Sequence, residues 1–378
     1  MLNFNIPPYI GNEQHYIQQA IQNQKISGDG KFTKKCREWF KQYSDCKDAL
    51  LTTSCTHALE MAGFLINIKE GDEVIMPSYT FVSTANAFAI RGAKIIFVDI
   101  QPDTMNIDEN LIEAAITKKT RAIVPVHYAG VSCNMDKILE IAKNYNLYVI
   151  EDAAQAMMSY YKGKPLGSLG NLGAFSFHET KNYSMGEGGL LLIQDENLIE
   201  RAEIIREKGT NRSRFLRGEV DKYTWVDLGS SYLPSELNAA YLYAQLAEAN
   251  LINNNRLKSW NLYHQLLQPL EQMNYIKRPV IPESCTHNAH MYYIKVRDLE
   301  QRTKLLKFLR DNKIYAVFHY IPLHSSEGGK KYSAFCGEDT FTTSESEKLV
   351  RLPMYYGLEE NDIKFVVQKI EQFFEGAL

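Results

Sequence analysis

The chain has 378 residues, 45% of them hydrophobic and 23% charged, enough for a sizeable core and, at roughly 150 residues per domain, for two domains. Its formal net charge of −3 leaves no electrostatic footprint for nucleic acid or an anionic membrane surface, and no stretch approaches the roughly 20 apolar residues of a membrane span. Residues 1–10 show no basic segment followed by an apolar run, and Cys36, Cys46, Cys55, Cys133, Cys285 and Cys336 show no C-x-x-C spacing. The expectation is a reduced cytoplasmic protein with no disulfide frame and no metal site.

Residues 1–11 read as extended, interrupted by Pro7-Pro8 and Gly11. Helices follow over 13–24 and 33–43, separated by the turn cluster Ser27-Gly28-Asp29-Gly30. A β/α alternation then begins. Strand 49–51 leads through Thr52-Thr53-Ser54-Cys55-Thr56 into a helix whose apolar face carries Ala58, Leu59, Ala62, Leu65 and Ile66. Strands 73–76, 94–98, 122–126 and 147–150 alternate with helices 82–91, 108–116 and 135–145. Strands joined by helical crossovers of this length predict a largely parallel sheet covered on both faces.

Beyond residue 193 the pattern is helical over 198–208. The polar segment 209–229, with Arg212, Arg214, Arg217 and Lys222, exceeds an ordinary connection and reads as a functional or partly disordered loop. A long helical run, 235–267, ends at Pro269. The last hundred residues carry strand 291–296, helix 304–310, strand 315–319, a capping box at Ser344-x-x-Glu347, and a terminal helix with Ile363, Val366, Val367, Ile370, Phe373 and Phe374 on one face. The expected division is a large domain over 12–250 and a small C-terminal domain over 251–378, with 1–11 packed on the latter.

The chemistry centres on Gly173–Gly189, G-A-F-S-F-H-E-T-K-N-Y-S-M-G-E-G-G, which reads as a strand, a tight loop carrying Lys181, and the start of a second strand. Burial of an amine on such a loop lowers its pKa, as a Schiff-base lysine requires. In open parallel sheets, ligands bind beyond the carboxyl ends of the strands. Ser54-Cys55-Thr56 falls at such an end and reads either as a phosphate cradle or as a plain N-cap. Glu151-Asp152 follows another strand and either caps the next helix or faces a cation. Ser176 precedes Lys181, its hydroxyl free for a phosphate or bonded within the sheet. A phosphate cradle, an acid and a lysine along successive strand ends form the kit for pyridoxal 5′-phosphate. No G-x-G-x-x-G follows the first strand, so a nicotinamide fingerprint is absent.

Seven blocks carry a family resemblance: S-C-T-H-A-L-E-M-A (54–62), M-P-S-Y-T-F-V-S-T-A-N-A (76–87), P-V-H-Y-A-G (125–130), E-D-A-A-Q-A (151–156), F-S-F-H-E-T-K-N (175–182), R-E-K-G-T-N-R-S-R-F (206–215) and H-Y-I-P-L-H (319–324). On these the chain resembles the DegT/DnrJ/StrS sugar aminotransferases. The resemblance implies the aspartate aminotransferase (type I) fold, a large domain with a mostly parallel mixed sheet plus a smaller α/β domain. It also implies a homodimer with shared active sites. Lys181 then matches the Schiff-base lysine, and Asp152 the acid paired with the pyridine nitrogen. Gln155 lies beside the phenolic oxygen, Phe81 stacks on the ring, and Ser54, Cys55, Thr56 and Ser176 hold the phosphate. Ser231 stands where many relatives place an Asn that reaches the neighbouring subunit's phosphate.

The last two blocks, with S-S-Y-L (230–233), resemble relatives that transfer the amino group of L-glutamate to dTDP-4-keto-6-deoxy-D-glucose, giving dTDP-4-amino-4,6-dideoxygalactose for surface glycans such as the enterobacterial common antigen. They nominate Lys208, Asn211, Arg212, His319, Tyr320 and His324 for substrate binding. A gluco-product or 3-keto-sugar aminotransferase would carry the same cofactor kit. A non-catalytic ligand-sensing regulator is disfavoured by the intact lysine and the lack of any DNA-binding extension.

Overall fold

The computed structural model describes residues 1–376. An eight-stranded sheet is the frame of the molecule. In chain order its strands are β1 (Asp48–Thr52), β2 (Glu73–Pro77), β3 (Lys94–Val98), β4 (Thr120–Ile123) and β5 (Tyr148–Asp152), and, after the hairpin strands β6 (Tyr160–Tyr161) and β7 (Lys164–Pro165), β8 (Leu172–Ser176) and β9 (Gly189–Ile193). The spatial order is β1-β9-β8-β5-β4-β2-β3, closed by a short edge strand β12 (Ser333–Phe335), and only β9 runs against the others. Side chains alternate strictly between two apolar layers. Ala49, Leu51, Ile75, Leu190 and Leu192 meet helices Lys31–Ser44, Met135–Tyr145 and Glu236–Ala247 on one face. Leu50, Val74, Met76, Leu191 and Ile193 meet helices Cys55–Leu65, Val82–Ala89 and Ile199–Arg206 on the other. Both faces being covered explains why β1 and β9 are buried throughout, and why Ala49–Leu51 and Leu190–Ile193 are continuous apolar runs rather than alternating with polar residues.

A second core gathers Trp260, Tyr263, Tyr292, Ile294, Leu305, Leu309, Val350, Leu352 and the predicted face of the terminal helix Glu360–Glu375. It surrounds the antiparallel pair β11 (Tyr292–Lys295) and β13 (Leu349–Leu352); β10 (Cys285–Thr286) pairs instead with β6. The N-terminal arm lies on this unit. Leu2 bonds through its backbone to Lys313 and Tyr315, and the Phe4 carbonyl accepts the Met354 N–H. The units interlock, because β12, far beyond residue 250, returns to the large sheet beside β3.

Several expected elements differ. Residues 108–116 form two 3-10 turns, Glu109–Leu111 and Glu113–Ala115, with the Asp108 carboxylate accepting the Asn110 N–H. The run 235–267 breaks at Glu248 (φ −115°, ψ 27°) into helices Glu236–Ala247 and Ala249–Leu266, and Pro269 opens a further short helix, Gln268–Gln272, at its permissive first turn. Residues 315–319 form only an isolated pairing of Val317 with Arg351. Ser344 lies inside helix Thr342–Lys348 and caps nothing. The N–H groups of Thr340, Phe341 and Thr342 instead reach the buried carboxylate of Asp99 at the end of β3. Segment 209–229 is folded around a short helix, Arg212–Leu216, and a Thr210–Trp225 bridge.

Candidate active site

A cavity of about 470 Å³ opens where β1, β2, β5 and β8 end, and its lining includes Ser54, Cys55, Thr56, Phe81, Asp152, Gln155, Ser176, Lys181, His319 and Tyr320. The topology forces this convergence. Parallel strands deliver their carboxyl ends to one edge, and the loop after each end places its polar residues around the same space.

At the first end, Ser54 caps helix Cys55–Leu65, its hydroxyl accepting the His57 N–H at 3.0 Å. Among the described residues, no acceptor meets the N–H groups of Cys55 and Thr56. They point the positive end of the helix dipole at the cavity. The close approach behind them depends on Gly189, where a Cβ would lie 2.3 Å from the Ser54 carbonyl carbon and 2.4 Å from the Cys55 nitrogen. At the end of β5, the Asp152 carboxylate is held on both oxygens. Oδ2 accepts the Thr84 hydroxyl at 2.7 Å, and Oδ1 accepts the Ala154 N–H at 3.1 Å. Thr84 in turn lies 2.8 Å from the Thr80 hydroxyl, so the carboxylate has one orientation.

Lys181 sits on the loop between β8 and β9, which is pinned by Phe177–Gly188 and Met185–Phe177 backbone bonds and turned by Gly186 at φ +80°. Its N–H donates to the His178 carbonyl, while no described residue hydrogen-bonds its Nζ. Lys181 keeps partial exposure through the cavity itself, yet the packed atoms around the amine desolvate it. Burial lowers its pKa, opposed by Cys55 and Asp152 and assisted by Arg351.

The far wall is aromatic. The Gln155 amide donates to the Tyr320 hydroxyl at 3.0 Å, and its carbonyl accepts the Ala129 N–H at 2.6 Å. His319 stacks on Tyr320 with ring centroids 3.6 Å apart, and its Nδ1 lies 2.7 Å from the Tyr128 hydroxyl. Burial holds the pKa of His319, and of His290 beside it, well below the ordinary imidazole value. Phe81 is exposed at the rim, 6.2 Å from the Tyr320 ring. Sequence reasoning missed Thr84, His290, Phe4 and Arg351, all of which line the cavity. Only Arg351 carried a signal, as a charge inside the apolar run Leu349–Leu352.

Other nominated residues stand elsewhere in this chain. Lys208 and Arg212 pair with Glu207 at 3.0 and 3.4 Å, Arg217 pairs with Glu203, and Arg214 with Glu200, so acids of the neighbouring helix answer the basic loop. The Asn211 side chain accepts the Thr224 N–H within that loop. Ser231 is exposed and bridges Glu207 through its backbone. His324 clamps Ser78 at 2.7 Å and Asp339 at 3.1 Å, tying the exit of β2 to the segment around β12.

An unpaired, desolvated lysine amine and a fixed carboxylate share this cavity with a helix start whose N–H groups are free. That set fits a pyridine-ring cofactor bearing a phosphate, and on this sheet it defines a pyridoxal phosphate-dependent aminotransferase of the type I fold. The chain matches the DegT/DnrJ/EryC1/StrS aminotransferase family over residues 9–371, and it belongs to that family. It is 32% identical over 377 residues to a GDP-perosamine synthase of Caulobacter vibrioides, covering 97% of this chain and 96% of that one. It is 31% identical over 380 residues to the spore coat polysaccharide biosynthesis protein SpsC of Bacillus subtilis, covering 98% and 96%. Among solved structures, the aminotransferase TlmJ of Streptoalloteichus hindustanus superposes with a TM-score of 0.91 at 25% identity over 100% of both chains. The protein is a sugar aminotransferase, and its cofactor is pyridoxal 5′-phosphate.

Proposed function

We propose that the enzyme transfers the amino group of L-glutamate to C4 of dTDP-4-keto-6-deoxy-D-glucose, giving dTDP-4-amino-4,6-dideoxygalactose for a surface glycan. The observation that carries the reading is Lys181, whose Nζ is unbonded and whose pKa burial lowers, beside the fixed Asp152 carboxylate. Bound cofactor supplies the electron sink for the carbanion formed at the reacting carbon. The chain's residues do the rest. Cys55, Thr56 and Ser176 hold the phosphate, with Ser54 fixing the helix start. Asp152, locked by Thr84, holds a proton on the ring nitrogen. Phe81 covers a ring face and Gln155 sits beside the phenolic oxygen.

Lys181 takes the proton from the α-carbon of the donor. In the second half-reaction it returns a proton to the sugar carbon, so the kinetics are ping-pong. The galacto product follows from the hexose face turned toward Lys181, and pocket contacts worth only about 1–3 kcal/mol decide that face. His319 and Tyr320 are the sugar contacts. The exposed apolar residues Leu216, Trp225 and Leu228 support a second copy covering the 209–229 segment, with Lys208, Asn211, Arg212 and Ser231 serving the cavity across that interface. His324 acts through the Ser78–Asp339 clamp that holds the His319–Tyr320 segment.

A second reading, a GDP-linked sugar, is favoured by the relatives named GDP-perosamine synthase. Release of 2-oxoglutarate is measured with L-glutamate and either dTDP-4-keto-6-deoxyglucose or its GDP-linked counterpart. Faster turnover of the dTDP sugar is expected. Turnover confined to the GDP sugar selects the second reading, and turnover of neither refutes the substrate class.

A further inference from the structure

One cation in the cavity has no assigned partner. Arg351 lies on β13 between Val350 and Leu352, which face the second core, so the strand's two-residue period turns Arg351 the other way, into the cavity that holds Lys181. Its backbone is fixed by two bonds to Val317, at 2.7 and 3.1 Å. Its guanidinium lies over the Phe4 ring, 4.6 Å from the centroid. Its side chain makes no hydrogen bond and no ion pair among the described residues, and its Nε is sealed from solvent without an acceptor.

Buried cations elsewhere in the fold are answered. Arg256 donates to the carbonyls of Ala289, His290 and Met354, and Lys295 pairs with Glu345. The acids lining the cavity are Asp152 and Glu187. Asp152 is committed to Thr84 and Ala154, and Glu187, largely exposed, pairs with His178 at the rim. Arg351 keeps partial exposure through the cavity, with only its Nε sealed; a ligand that fills the cavity withdraws the guanidinium from solvent, which is costly unless that ligand brings an anion.

We infer that Arg351 binds the α-carboxylate of the amino donor, with Phe4 holding the plane of its fork. This rests on the aminotransferase reading above. Three kinds of anion enter this cavity during the reaction. The cofactor phosphate has its own receptor, the helix start at Cys55 and Thr56. The diphosphate of a sugar nucleotide is separated from the reacting C4 by part of the hexose ring and the glycosidic oxygen, which places it toward the mouth. The α-carboxylate is bonded to the carbon whose proton Lys181 moves, so its receptor must share the inner cavity with Lys181. Arg351 is close enough that its charge acts on the Lys181 amine and on Tyr79, Tyr128 and Tyr320. A planar guanidinium matches a carboxylate through two parallel N–H···O bonds, which also fixes the orientation of the α-carbon.

The test uses the pyridoxal phosphate-loaded enzyme and follows loss of the bound cofactor's visible absorbance. L-glutamate is compared with L-isoglutamine, whose α-carboxylate is an amide, and with L-glutamine, whose side-chain carboxylate is an amide. Wild type is expected to prefer L-glutamate over L-isoglutamine by at least about tenfold in half-saturating concentration. In Arg351→Gln the requirement for L-glutamate rises by at least about tenfold, and the preference over L-isoglutamine falls toward one. Arg351→Lys, which keeps the charge but not the fork, retains part of the preference. General damage to the site would weaken all three compounds together and leave the preference intact, and that result, or wild-type L-glutamate binding in Arg351→Gln, overturns the inference. If wild type ignores L-glutamate, that donor is wrong, and the comparison is repeated with whichever L-amino acid discharges the colour and its α-amide. If none does, both readings fall.

Discussion

Gly189→Ala isolates the part of the site built from backbone alone. The added Cβ would meet the Ser54 carbonyl carbon at 2.3 Å, the Cys55 nitrogen at 2.4 Å and the Ser54 oxygen at 2.5 Å. These are main-chain atoms of a strand-to-helix turn, with no rotamer to yield, so restoring contact near 3.4 Å moves β9 and the helix start apart by roughly 1 Å. Overpacking of that kind costs about 1–3 kcal/mol of stability. The same shift carries the Cys55 and Thr56 N–H groups away from the phosphate. A hydrogen bond to a charged group is worth about 1.5–3 kcal/mol, so losing one weakens cofactor affinity about 10- to 150-fold. Equilibrium dialysis of pyridoxal phosphate against the apo-protein reads the affinity, and denaturant unfolding of the apo-protein reads the stability. Gly328→Ala is the control, since nothing lies within 4 Å of its added Cβ. Wild-type cofactor affinity in a folded Gly189→Ala protein would refute the assignment of the phosphate to this helix start.

Lys181→Ala should fold and bind cofactor without the visible absorbance of the lysine-linked form, with turnover down at least about 10⁴-fold, near 5 kcal/mol of barrier; substantial residual turnover in a direct product assay removes Lys181 from its role. Asp152→Asn keeps the Ala154 contact but turns an amide toward Thr84, whose hydroxyl must rotate to Thr80. It should slow proton transfer more than it weakens cofactor binding, and full turnover with cofactor in excess would reduce Asp152 to an anchor. His290 and His319 have folded pKa values well below 6.5, and His287 is lowered by burial to about 4. Below pH 6.5 the unfolded chain takes up protons that the folded chain refuses, so stability falls on acidification, by about 1.4 kcal/mol per histidine at pH 5.5. Urea unfolding at pH 7.5 and 5.5 measures this, and His290→Asn should remove one share of the difference. A pH-independent midpoint would contradict the neutral, buried assignment.

The parallel sheet was legible because its strands are short apolar runs between amphipathic helices, and the strand-end rule then put Asp152, Lys181 and Ser54–Thr56 in one place. What failed was set by partners distant in sequence. Asp99 caps helix Thr342–Lys348 from across the molecule, so the local Ser344-x-x-Glu347 pattern misled. The long helix breaks at Glu248 with no glycine or proline to mark it. There the Tyr183 hydroxyl donates to the Ala249 carbonyl, a contact that only the fold brings about. Thr84 was invisible as the partner of Asp152 because nothing in its own helix distinguishes it from a surface hydroxyl. Arg351 was visible as a charge in an apolar strand, but its direction depends on which face of β13 meets the second core.

The central claim is that Lys181 delivers a proton to one face of C4 of the dTDP-linked hexose. Proton NMR of the product purified after reaction of dTDP-4-keto-6-deoxyglucose with L-glutamate tests it most directly. A small coupling between H3 and H4, reporting an axial amine at C4, is the predicted result. A large coupling would contradict the stereochemistry, and an amine at C3 would contradict the assignment as a whole.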